Sequence, residues 1–197
     1  MQEGEILARK KTQLSLAKLA ALALDDNEVM DEKVAKVDQE MCLVAAQEQL
    51  PTSVLSQFGF DRESMRVLTP REMIELYVGE ENVEADHIDF KKALDLLGFV
   101  NLEEDEKESI WLHIWCRSIL QNTWTDIDKD NPVESVRDTV FFRLVEFAFM
   151  QGADISTYLP NPTKVLECEE LGQLRLDQNF QYLLQTGYEL LQRVCAY

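Results

Sequence analysis

The amino-acid sequence predicts an all-α fold, an irregular antiparallel helical stack of about eight to nine helices that resembles an α-solenoid. Only 7 of the 197 residues are glycine and 5 are proline, so residues that interrupt helices are scarce. Leu, Glu, Ala, Gln and Asp predominate over the β-branched residues that strands prefer. The length suits a single domain over residues 1–197, with enough chain to bury a core.

Three prolines each follow a residue that is well suited to cap a helix N-terminus. These pairs are Thr69-Pro70, Asn131-Pro132 and Asn161-Pro162. Proline at the first helical position costs no hydrogen bond, because the amide there has no partner within the helix. Glu72 and Glu134 follow at the third helical position and complete predicted capping boxes. Asn101 and Glu104 repeat this pattern without proline and predict a further helix start.

Two glycines, Gly98 and Gly152, follow apolar runs and predict helix ends. The connections are short, so successive helices are expected to be antiparallel neighbours. The predicted helices are Glu3–Leu24, Asn27–Gln49, Pro70–Val78, Ala85–Leu97, Glu103–Gln121, Pro132–Gln151, a short one after Pro162, and Asn179–Ala196. The helices from Glu103 and from Pro132 are the most apolar and are predicted to form the core, with Trp111 and Trp115 as ordinary core residues.

The first predicted helix has two apolar sides. At helical pitch Leu14 and Ala21 lie on one side, whereas Leu16, Leu19 and Ala23 lie on the opposite side. Because this helix begins near Met1, we expect one side to face the following helices and the other to face a partner. We therefore interpret Leu14, Leu16 and Leu19 as candidate partner-binding residues, and the pattern leaves open which side faces outward. The alternative is that later helices cover both sides.

The charge of the chain excludes several classes of ligand. The formal net charge is −18 and the isoelectric point is near 4.4, so phosphate backbones and anionic lipid surfaces are repelled. We expect no nucleic-acid partner and no direct membrane contact. The basic residues Arg9, Lys10 and Lys11 are interpreted as a solvated helix face.

The sequence gives little support for metal binding or catalysis. His113 and Cys116 are three residues apart and could supply two zinc ligands, but His87 is the only other histidine and no cysteine pair has the spacing of a structural zinc site. The four cysteines are interpreted as reduced core thiols. No phosphate-binding glycine loop or nucleophile elbow occurs, so we expect neither an enzyme nor a cofactor.

The segment from Asp126 to Arg137 begins like a calcium-binding loop. It has acidic residues at positions one, three and five, but Asn131 replaces the glycine at position six and Arg137 replaces the bidentate glutamate at position twelve. An arginine there removes the main ligand, so we interpret the segment as an acidic turn before a helix.

Five segments of the chain resemble, in the same order, the C-terminal helical domain of nucleoporin 133, a scaffold protein in the stalk of the Y-shaped complex of the nuclear pore. The segments are RKKTQLSLAKLAALAL from Arg9, LTPREMIELYVGEEN from Leu68, DFKKALDLLGF from Asp89, ISTYLPNP from Ile155 and NFQYLLQTGYELL from Asn179. Residues 25–36 and those after Leu191 resemble that domain least, and no role is transferred to them.

The resemblance implies a non-enzymatic scaffold module in the nucleus, at the nuclear pore complex of the nuclear envelope. It implies end-to-end binding to the C-terminal helical domain of nucleoporin 107, which would support pore assembly and nucleocytoplasmic transport. The family's β-propeller is not part of this chain, so we interpret the chain as a C-terminal fragment of a larger nucleoporin, without the propeller's membrane contact. The alternative function is that of a helical adaptor in another complex of the cell.

Calcium should leave the thermal stability of the protein unchanged, because Arg137 occupies the position of the bidentate ligand. Any ligand that binds the native state raises the melting temperature by mass action. We therefore expect equal melting temperatures in millimolar calcium and in chelator. A reproducible rise of several degrees with calcium would contradict this interpretation.

Overall fold

The computed structural model describes residues 5–23, 27–57, 59, 66–124, 132–150 and 159–195. Within these ranges the chain forms helices and no strand, which confirms the predicted all-α fold. The elements are α1 (Glu5–Leu22), α2 (Asn27–Glu48), α3 (Thr52–Gln57), α4 (Pro70–Val78), α5 (His87–Phe99), α6 (Glu104–Leu120), α7 (Pro132–Arg137), α8 (Val140–Met150), α9 (Pro162–Leu166), a 3-10 helix (Glu169–Leu176) and α10 (Gln178–Cys195).

The described residues fall into two compact units. The first unit draws on residues 1–82 and 95–102, and the second on residues 83–94 and 103–197, so α5 contributes to both. The two units are defined by contacts between residues and not by independent folding. The single domain over residues 1–197 therefore stays a prediction.

The first unit is built around α2, which packs against α1 and α4. The side chain of Gln47 on α2 is buried and receives the backbone N–H of Leu68 at 2.9 Å, while its own amide donates to the carbonyl of Arg66 at 2.7 Å. The Tyr77 hydroxyl of α4 donates to the carbonyl of Ala46 at 3.0 Å. These bonds satisfy buried polar groups and tie α4 and the segment before it to the end of α2.

The predicted capping box at Thr69 is confirmed. The backbone N–H of Glu72 donates to the Thr69 hydroxyl at 3.3 Å, and the Glu72 carboxylate accepts the N–H of Thr69 at 2.9 Å. Hydrogen bonds from Arg66 and from the Thr69 backbone lower the pKa of Glu72 to about 2, so the carboxylate stays ionised at the helix N-terminus.

The second unit has an aromatic core formed by α6, α8 and α10 with Trp124. Trp115 and Phe141 meet edge to face with ring centroids 5.8 Å apart, and Trp124 meets Phe180 at 4.9 Å. Gly187 leaves space for Phe142, since a Cβ atom there would lie 2.2 Å from the Phe142 Cζ. Trp115 is fully buried, whereas Trp111, also predicted in the core, is half-buried.

The predicted helix Pro132–Gln151 is instead two helices, α7 and α8, separated at Asp138 and Thr139. The buried Thr139 hydroxyl accepts the N–H of Phe142 at 3.3 Å, and the Asn122 side chain accepts the N–H of Val140 at 2.7 Å. These two acceptors cap α8 and make a new helix start without proline or glycine.

Other predicted boundaries are corrected by the structure. Helix α5 continues through Gly98 to Phe99, and α6 begins at Glu104 without a side-chain cap, so Asn101 does not cap it. The cap at Asn161 is confirmed by its bond to the N–H of Thr163 at 3.0 Å. Helix α3 and the 3-10 helix were not predicted, and Asn131 and Gly152 lie outside the described residues.

Replacing Trp115 by alanine should destabilise the protein more than replacing Thr69 by alanine. Removing a fully buried indole leaves a cavity and costs about 3–5 kcal/mol, whereas losing a threonine cap costs about 1 kcal/mol. Denaturant unfolding of both variants would measure the two losses. Equal losses would mean that the indole does not fill the core or that the cap contributes far more than a typical one.

Candidate partner-binding surface

The inward side of α1 is a narrow apolar stripe that packs on α2. Leu7, Leu14 and Ala21 are 6%, 5% and 7% exposed, and their spacing of seven residues places them on one side of the helix. Helix α1 makes its packing contacts with α2. This stripe is the apolar contact by which α1 joins the first unit.

The opposite side of α1 presents leucines to solvent. Leu16, Leu19 and Leu22 are 61%, 64% and 54% exposed, and they follow one another at three-residue intervals. The exposed small residues Ala20 and Ala23 lie beside them. Large apolar side chains grouped on one exposed helix face are typical of a surface that another protein covers.

Among the described residues, three lysines of α1 form ion pairs with α2 alongside the inward stripe. The pairs are Lys10 with Glu40 at 3.0 Å, Lys11 with Glu48 at 2.5 Å, and Lys18 with Asp38 at 2.6 Å. Two residues of the predicted solvated basic cluster, Lys10 and Lys11, therefore also contact the neighbouring helix. The inward side of α1 thus carries lysines that pair with α2, whereas the outward side carries exposed leucines.

The structure separates the three candidate partner-binding residues. Leu14 is a core residue, whereas Leu16 and Leu19 face outward and are mostly exposed. Leu22 belongs to the same face and was missed, although its three-residue spacing from Leu19 could have indicated it. Binding of a partner by these residues stays a prediction.

The pair His113 and Cys116 lies against the 3-10 helix. His113 Nδ1 lies 2.8 Å from the Glu170 carboxylate, and Cys116 shares a side-chain hydrogen bond with Cys168. Burial and this hydrogen bond raise the pKa of Cys116, which disfavours the thiolate that a metal or a nucleophilic reaction needs. No group of His, Cys, Asp and Glu within the described ranges has an arrangement that could hold a metal ion.

Two other features bear on function. Residues 126–131 of the calcium-like segment lie outside the described residues. Among the described helices, none is long and apolar enough to cross a membrane.

Comparison with known proteins finds relatives that all carry the same protein name. No family model matches the chain. It is 40% identical to nuclear pore complex protein Nup133 of Drosophila melanogaster over 187 residues, and 38% and 36% identical to Nup133 of Mus musculus and Homo sapiens over 190 residues. Each alignment covers 95% of this chain but only 15% or 16% of the relative. The predicted resemblance and the nuclear pore location are confirmed by these relatives.

Substituting lysine at Leu14 and at Leu16 should affect folding very differently. A lysine at the buried position 14 removes core packing and buries a charge, which should cost about 2–5 kcal/mol. A lysine at the exposed position 16 should change stability by less than about 0.5 kcal/mol. Thermal or denaturant unfolding measures both effects. Similar losses in the two variants would show that the outward side of α1 is covered within the chain.

Proposed function

Because this chain belongs to the Nup133 family of nuclear pore proteins, as a homologue of their C-terminal helical part, we propose that it is a non-enzymatic scaffold module that binds another nucleoporin through α1. The proposed partner is the C-terminal helical domain of nucleoporin 107, joined end to end with this chain. The observation that carries this proposal is the exposed position of Leu16 and Leu19 on a helix whose other side is buried.

The chemistry of this face suits a helical partner. Leu16, Leu19 and Leu22 form a stripe along about two turns of α1, and the neighbouring alanines allow a second helix to approach closely. Association would remove these leucines from water, which supplies affinity without the cost of desolvating a charge. These leucines are more than half exposed, so they are accessible for binding.

The candidates for other chemistry do not compete with this proposal. Cys116 is buried with a raised pKa, and His113 contacts the carboxylate of Glu170. The alternative of a helical adaptor in a different complex would use the same leucine face with another partner. Identifying which purified helical domain binds the face decides between these two functions.

The test compares lysine substitutions on and away from the face. Leu16→Lys and Leu19→Lys should each retain the parent melting temperature and weaken binding to the nucleoporin 107 domain by about thirtyfold or more, since an apolar anchor typically contributes about 2 kcal/mol. Leu176→Lys is the matched control, because Leu176 is 65% exposed on the 3-10 helix and lies outside α1. Calorimetric titration would give all four dissociation constants, including that of the parent.

Undiminished binding by both α1 variants would reject α1 as the docking surface. The search would then move to α10, where Tyr182 is 61% exposed while Tyr188 is buried and donates to the carbonyl of Pro160 at 3.0 Å. No binding by the parent chain would reject nucleoporin 107 as the partner and favour the adaptor alternative. Weakened binding by Leu176→Lys to the same extent would show an effect of added charge and not of a specific face.

A further inference from the structure

Both sides of α1 carry leucines. The inward side has Leu7, Leu14 and Ala21 along the whole helix, and the outward side has Leu16, Leu19, Leu22, Ala20 and Ala23 in its C-terminal half. If α1 rolled about its own axis by half a turn, leucines of the outward side would be buried on α2 in place of Leu14 and Ala21. Hydrophobic burial alone thus does not determine which side of this half faces solvent.

The lysines of α1 distinguish the two sides. At about 100° per residue, Lys10, Lys11 and Lys18 all lie within about 60° of Leu14 on the helical wheel. Each reaches a carboxylate of α2, at 3.0 Å for Glu40, 2.5 Å for Glu48 and 2.6 Å for Asp38. Rolling the helix by half a turn would carry all three ammonium groups away from these carboxylates. The ion pairs therefore exist in one orientation only.

We propose that the ion pairs of Lys10, Lys11 and Lys18 with α2 orient α1 and so present Leu16 and Leu19 to the partner. These three lysines are positioning residues, because they act on the leucines through the orientation of the helix. The consequence for partner binding rests on the proposed function above, whereas the orientation itself does not.

A further consequence is that binding through uncharged leucines becomes sensitive to salt. The lysine side chains are 35%, 43% and 36% exposed, so mobile ions can reach and screen the pairs. Screening would increase the fraction of molecules in which α1 is rolled, and the apparent affinity falls with the fraction that is competent to bind.

The orientation can be measured without a partner by thiol labelling. Leu14→Cys and Leu16→Cys are introduced separately, and the labelled residue is identified by peptide mapping, since Cys42 and other native cysteines are present. In the parent background, the thiol at position 16 should react readily and the thiol at position 14 should be protected. In a variant with Lys10→Gln, Lys11→Gln and Lys18→Gln, labelling at position 14 should rise by roughly threefold or more, because each exposed ion pair typically shifts an equilibrium by about 1.4- to 5-fold.

Two further variants control for general effects of charge. Lys33→Gln with Lys36→Gln removes two exposed lysines of α2 outside these ion pairs and should leave labelling at position 14 unchanged. Exchanging the charges of one pair, with Lys18→Asp and Asp38→Lys together, should restore protection that Lys18→Asp alone reduces. Rescue by the exchange would separate orientation from loss of folding, as would continued protection of the buried Cys116.

Equal protection at position 14 in the parent and in the triple variant would overturn the proposal. If the triple variant unfolds, labelling of Leu14→Cys in the otherwise unchanged chain at low salt and at about 1 M salt, where the Debye length is about 3 Å, decides the question. Salt-independent protection there would also overturn it. Binding to the nucleoporin 107 domain is measured separately, so rejection of the docking face by Leu16→Lys would leave the labelling result and its interpretation intact.

Discussion

Helix α1 is held on α2 by a narrow apolar stripe and three cross-helix ion pairs, and the exposure of Leu16 and Leu19 depends on this contact. Full burial of a leucine contributes about 1.5–3 kcal/mol, whereas an exposed ion pair contributes at most about 1 kcal/mol. Burial therefore supplies most of the free energy that attaches α1. Because leucines lie on both sides of α1, we propose that the weaker ion pairs select the orientation.

The position of α2 is itself fixed by polar contacts with α4 and the segment before it. The Gln47 side chain forms hydrogen bonds with the backbone of Arg66 and Leu68, and the Tyr77 hydroxyl donates to the carbonyl of Ala46. These bonds join α4 and the segment before it to α2. A surface carried on helices that are already ordered loses less conformational entropy when a partner binds. The polar contacts within the first unit thereby support the affinity of a surface that is itself apolar.

The sequence was informative where one local signal determines the structure. Proline after Thr69 and Asn161 marked two helix starts, and the wheel of α1 revealed two apolar sides. Prediction from the sequence failed where a residue distant along the chain determines the local structure. The break at Thr139 is completed by Asn122, which lies 18 residues before Val140. In our proposal the orientation of Leu14 and Leu16 depends on α2 carboxylates 20 to 37 residues from their lysines. Single-sequence patterns do not encode such pairings.

The overall charge and the leucine face act on different steps of association. With a net charge of −18, the field of the chain favours approach by a basic surface and opposes an acidic one, which changes the association rate most at low salt. The leucines carry no charge and contribute to short-range packing, which mainly sets the dissociation rate. Screening by salt also affects the orientation of α1. Measuring the association and dissociation rate constants separately against salt concentration therefore distinguishes these effects, which a measurement of affinity alone combines. In a long-lived scaffold contact, Leu16 and Leu19 would then set the slow dissociation. The lysines on the other side of the same helix would set the dependence on salt concentration.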